Sequence, residues 1–89
     1  MPACELTIPN EDGLHARPAA KFVRLASRFR SEVWVEKDDE EINGKSIMGL
    51  MMLAAAQGSV IRISAEGDDA EEALETLSTL VQSGFEADC

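Results

Sequence analysis

The sequence predicts an α+β domain: a four-stranded antiparallel sheet with three helices on one face, in the order βαββαβα. Three observations predict it. Four short segments alternate apolar and polar side chains, the period of a half-buried strand. Three others repeat apolar residues at helical spacing. Glycine, proline and acidic turn signals separate them. The 89 residues are expected to form one domain, 1–89, and an apolar fraction of 45% is normal for a globular chain.

In the first strand Cys4, Leu6 and Ile8 alternate with Glu5 and Thr7, and Pro9-Asn10 stops the run. Asn10-Glu11-Asp12-Gly13 is a turn. The spacing of Ala19, Phe22, Val23, Ala26 and Phe29 then predicts a helix over residues 16–28. Pro18 fits only its first turn, where the missing N–H has no partner to lose. His15 is therefore the expected N-cap, followed by Ala16, Arg17 and Pro18.

The second strand spans 31–37, with Val33 and Val35 on one face and Glu32, Trp34 and Glu36 on the other. Trp34 reads as a cover for the open side of the sheet. Asp38-Asp39-Glu40-Glu41 reads as a charged turn, and 41–43 as a short edge strand. Ser46 is the expected N-cap of a helix over 47–53, ended by the run to Gly58. That helix is apolar nearly all round, so some Met and Ile side chains are expected to face water. The fourth strand covers 59–66, with Ile61, Ile63 and Ala65 inward. Asp68, with Glu71 three residues on, reads as the N-cap of the last helix. Ala70, Ala73, Leu74, Leu77, Leu80 and Val81 form its stripe. Gly84 closes it, and 85–89 reads as a short acidic tail.

A net charge of −9 argues against nucleic acid and anionic membrane as partners. Its distribution is informative. Five of the eight basic residues lie between Arg17 and Arg30, where no acid occurs. Arg17, Lys21, Arg24 and Arg28 form one stripe beginning beside His15. Such a face suits phosphate or acidic partner proteins. No stretch is apolar enough to span a membrane, and the first residues lack signal-peptide character, so a cytoplasmic protein is expected. Cys4 and Cys89 are too few for a disulfide framework. No cofactor or metal is expected, because the sole histidine has no ligand cluster near it.

That histidine is the candidate for chemistry. Unpaired N–H groups of the first turn, at Ala16 and Arg17, and the positive end of the helix dipole favour the neutral, nucleophilic ring and seat an anion. Arg17 adds a planar fork of donors suited to phosphoryl oxygens. The residues thus point to a histidine that carries a phosphoryl group. Two other readings fit the same pattern. A small phosphatase using His15 and Arg17 would release phosphate catalytically. A regulatory interaction domain would keep its partners' response without His15.

Two motifs, Gly13-Leu14-His15-Ala16-Arg17-Pro18-Ala19 and Lys45-Ser46-Ile47-Met48-Gly49-Leu50-Met51, resemble the histidine phosphocarrier (HPr) family of the bacterial phosphoenolpyruvate-dependent phosphotransferase system. The resemblance runs along essentially the whole chain and implies an open-faced sandwich. It implies that His15 is phosphorylated through Nδ1, that Arg17 assists, and that Ser46 stands at the position where some members are phosphorylated by a dedicated serine kinase. Enzyme I is the implied donor and IIA-type proteins the implied acceptors. They would dock on the basic first helix, at Lys21, Arg24 and Arg28, and on the apolar second, at Ile47, Met48 and Met51. A monomer is expected. The stretch 83–88 resembles the acidic Ser-Gly-Phe tail of the nitrogen-related branch, whereas 43–49 resembles sugar-system members with a regulatory serine. Glu11 and Asp12 place two negative charges beside the anion seat, and no catalytic role is given to them.

Overall fold

The alternation of the strands builds the sheet first. The computed structural model describes residues 2–86. Its elements are β1 (Ala3–Thr7), α1 (Ala16–Ala26), β2 (Glu32–Lys37), β3 (Glu40–Asn43), α2 (Ile47–Met52), β4 (Val60–Glu66) and α3 (Ala70–Gln82), which is the expected order. All pairings are antiparallel and the strand order is β1-β4-β2-β3. In register, Leu6 faces Ile61, Val33 faces Ala65, and Val35 stands between Ile63 and Ile42. Val33, Val35, Ile61, Ile63 and Ala65 are buried on the helical side. Trp34 lies half-buried on the other face, between Ser64 and Asn43.

The core fills the space between sheet and helices. Phe22 and Leu25 of α1, Leu50 of α2, and Leu77, Leu80 and Val81 of α3 meet the strand residues there. Burying each such side chain contributes roughly 1.5–3 kcal/mol. α1 packs on α2 and α3, so the first turn of α1 and the surface of α2 belong to one side of the molecule.

Local differences from the expected boundaries have physical causes. α1 ends at Ala26 rather than at 28, because Arg28 N–H bonds to Leu25 O and Phe29 N–H to Ala26 O, tightening the exit into short turns. Val23 and Phe29 are half-buried, while Leu25, outside the expected stripe, is in the core. The β2–β3 turn is only Asp38-Asp39, both with positive φ (51° and 69°), the two-residue hairpin that follows strand twist. Glu40 is thereby in β3 and not in the turn.

α2 ends at Met52, well before Gly58. Ala54 takes the left-handed conformation (φ 52°) and turns Ala55 into the core. The cap of α3 also differs. It is Asp69, not Asp68, and its side chain makes no bond to the helix. The Asp69 carboxylate instead accepts from the Arg30 and Ser31 backbone N–H groups and from the Ser31 hydroxyl. The predicted pairing of Asp68 with Glu71 is therefore absent; Glu71 and Glu72 meet the positive end of α3 by position alone.

Phe85 is not tail. It is buried, and its N–H bonds to Leu80 O beyond the turn at Gly84. Residues 87–89 of the expected tail lie outside the described residues.

Candidate functional site

Gly13 sets the geometry. With φ at +62°, it brings the chain against the end of α2, where Leu14 N–H donates to Ala55 O at 2.9 Å. The Asn10 side-chain amide donates to Gly13 O at 2.9 Å and Gly13 N–H to Asn10 O at 3.2 Å, so the turn is fastened to itself as well. Leu14 is buried and His15, the next residue, is exposed.

His15 occupies the N-cap of α1 in extended conformation, and its carbonyl accepts from Ala19 N–H at 2.9 Å. Its imidazole makes no capping bond to the helix, unlike an ordinary polar cap. The N–H groups of Ala16 and Arg17 precede the first intrahelical donor, and Pro18 has none. Two amides thus stand open at the positive helix end beside an exposed ring. The arrangement can receive the oxygens of an anion attached to, or approaching, that ring. Arg17 is exposed and makes no hydrogen bond or ion pair among the described residues.

The rest of the basic stripe divides. Arg24 and Arg28 are exposed. Lys21 is partly buried, and its Nζ donates to Phe85 O at 2.8 Å, which ties α1 to the end of α3. Lys45 similarly donates to Phe29 O at 2.9 Å, joining the start of α2 to the exit of α1.

On α2 the Ser46 hydroxyl accepts from Gly49 N–H at 3.0 Å, the expected cap. Leu50 points into the core, while Ile47, Met48, Met51 and Met52 are exposed. Met52 was outside the expected partner set although it is 71% exposed, close to Met48 at 73%. The apolar run carried that signal, but sequence periodicity could not say which side faced the core.

A cleft of about 330 Å³ joins these parts. Leu14, His15, Met51 and residues 54–56 line it, together with Glu11 and Asp12. Arg17 is not among its walls. No group of three or more His, Cys, Asp or Glu is placed to hold a metal among the described residues, and no described helix is long and apolar enough to cross a membrane.

Comparison with known proteins places this geometry in a family. The family model described as the PTS HPr component phosphorylation site matches residues 3–83. Phosphocarrier protein HPr of Neisseria meningitidis serogroup B is 54% identical over 80 residues, 90% of each chain. A crystal structure of HPr from Thermoanaerobacter tengcongensis superposes with a TM-score of 0.94 at 52% identity, covering all of both chains. A dimeric HPr from the same organism matches with a TM-score of 0.78 at 53% identity, over 98% of this chain and all of that one. Dimers thus occur among its relatives. The chain belongs to the HPr phosphocarrier family of the phosphotransferase system.

Proposed function

We propose that the chain takes a phosphoryl group onto His15 from Enzyme I, charged by phosphoenolpyruvate, and passes it to IIA-type proteins. One observation carries this reading: an exposed imidazole, unbonded to its own helix, stands beside two open amides at a helix start. Two different active sites must reach a carrier's histidine, and exposure meets that need.

In the first step the Nδ1 lone pair attacks phosphorus and the bond to the donor breaks. In the second the acceptor's nucleophile attacks, and the P–N bond breaks with its electron pair returning to the ring. Transfer of this kind depends on positioning and charge stabilisation, which the Ala16 and Arg17 amides and the Arg17 guanidinium supply. No net turnover occurs on the carrier alone. The proposed working state is a monomer, and the proposed compartment is the cytoplasm.

Docking is assigned to Lys21, Arg24 and Arg28 of α1, with Lys21 also tethered to Phe85, and to Ile47, Met48 and Met51 of α2. Ser46 is assigned a second role as the target of a serine kinase that lowers docking. Sugar uptake and its regulation are the proposed setting, with a nitrogen-related regulatory branch as the other setting consistent with the stretch 83–88.

Incubation with phosphoenolpyruvate and Enzyme I, followed by mass spectrometry under alkaline conditions, tests the reading. The expected product carries one acid-labile phosphoryl group per chain, on His15. Continuous phosphate release from a small ester, with no loaded chain, is the result that overturns it. Sugar-type and nitrogen-type Enzyme I in parallel decide the branch.

A further inference from the structure

The His15 cleft is lopsided in charge. Glu11 and Asp12 line it, whereas Arg17 does not, and the open amides belong to the helix start. The backbone that carries both acids is fastened, which keeps the two residues at the cleft although their side chains are exposed. Asn10 and Gly13 are bonded to each other on either side of them, and Leu14 is bonded to Ala55. A phosphoryl group on His15 would therefore have two acidic residues on its cleft side and hydrogen-bond donors on its helix side.

We propose that Glu11 and Asp12 are positioning residues that raise the transfer potential of a phosphoryl group on His15 and turn it toward the Ala16 and Arg17 amides. This rests on the carrier reading above. A phosphoryl group brings roughly −1.5 to −2 charges at neutral pH. Two carboxylates repel it, and that repulsion exists only in the loaded chain. It therefore destabilises the loaded form relative to the free one and is released when the group departs. The same repulsion disfavours ring orientations that point the group into the cleft. Both acids are exposed, so solvent keeps the effect modest and salt weakens it further.

A competition experiment measures this directly. Loaded wild-type chain is mixed with an equal amount of unloaded Glu11→Gln/Asp12→Asn variant and a catalytic quantity of Enzyme I, without phosphoenolpyruvate. One P–N bond breaks in one chain and another forms in the other, so the final ratio reports only the difference between the two sites. Isotope labelling of the wild type separates the chains by mass.

The variant is expected to hold the group in about fivefold excess at low salt, with the ratio approaching one at 1 M salt, where the Debye length is about 3 Å. The charge-preserving Glu11→Asp/Asp12→Glu variant is expected to share the group equally. Equal sharing by the neutral variant at low salt overturns the proposal, as does an unequal ratio that ignores salt. Loading by phosphoramidate, a small donor that needs no partner, separates the two levels of inference. A wild-type chain that loads at His15 but partitions equally sinks only the role of the acids. One that loads at His15 from neither donor sinks the carrier reading with it.

Discussion

Leu14 N–H and Ala55 O are 2.9 Å apart, and this bond fastens the loop before His15 to the exit of α2. It demands a bare backbone one residue earlier. A Cβ on Gly13 would lie 2.3 Å from Ala55 O and 3.0 Å from Ala56 Cα, at a φ of +62°. Gly13→Ala is expected to cost about 2–4 kcal/mol, from left-handed strain and from the clash. Urea unfolding measures the loss. Because His15 follows two residues later, the rate of phosphorylation should fall as well, in preparations that remain folded.

Asp69 makes stability depend on pH. Acceptance from the Ser31 hydroxyl first, then from Arg30 N–H, holds its carboxyl below the usual aspartate value. A group lowered in this way stabilises the fold fully above its unfolded value, about 3.9, and that stability is lost as pH falls through the folded value. Wild-type stability should therefore drop more steeply below about pH 4 than that of Asp69→Asn. Between pH 5 and 7 the two should differ by a constant amount. Urea midpoints across pH 2.5–7 check both statements; parallel curves throughout would remove Asp69 as the cause.

Phe85→Ala tests whether the chain after Gly84 is part of the core. Phe85 is 3% exposed, and its backbone carbonyl takes the Lys21 ammonium at 2.8 Å. Loss of a buried Phe typically costs about 3–5 kcal/mol, a large share of the 5–15 kcal/mol that holds a small domain. A tail residue would cost almost nothing, so thermal unfolding separates the two readings sharply.

These positions show what could be read from the residues. His15 at a helix start was legible because Pro18 admits only a first turn, and the Ser46 cap because its partner is three residues away. The cap of α3 was not legible. Asp69 bonds to Ser31, 38 residues earlier, and only the folded chain brings them together. Local rules favoured Asp68 for the same reason that they placed Phe85 in a tail: each scored neighbours in sequence, while the deciding partner was remote. The two-residue turn at Asp38-Asp39 was hidden by Glu40 and Glu41, whose charge looked like loop but suits a solvated edge strand.

Ser46 has separable roles. Ser46→Ala removes the acceptor for Gly49 N–H and is expected to cost about 1 kcal/mol. Ser46→Asp keeps an acceptor and adds negative charge at the start of α2, which the helix dipole tolerates. Its unfolding midpoint should stay near wild type, while its KM toward Enzyme I rises. A Ser46→Asp chain phosphorylated at the wild-type rate would remove the assigned regulatory role and leave the cap untouched.

The two faces of α2 give the last prediction. Leu50 is fully buried, whereas Met48 and Met52 are more than two-thirds exposed and stand four residues apart on one side of the helix. Leu50→Ala should cost about 2–5 kcal/mol, since it opens a cavity under the sheet-facing side. Met48→Ser/Met52→Ser opens none and should shift stability by no more than about 0.5 kcal/mol per site. If the exposed methionines meet Enzyme I, the double variant loses apolar contact only in the complex. KM should then rise several-fold while the rate from the bound complex holds, because His15 and its amides are unchanged. An unaltered KM would assign Met48 and Met52 no part in docking, and the burden of partner recognition would pass to Ile47 and Met51 of α2, to Lys21, Arg24 and Arg28 of α1, and to the His15 cleft.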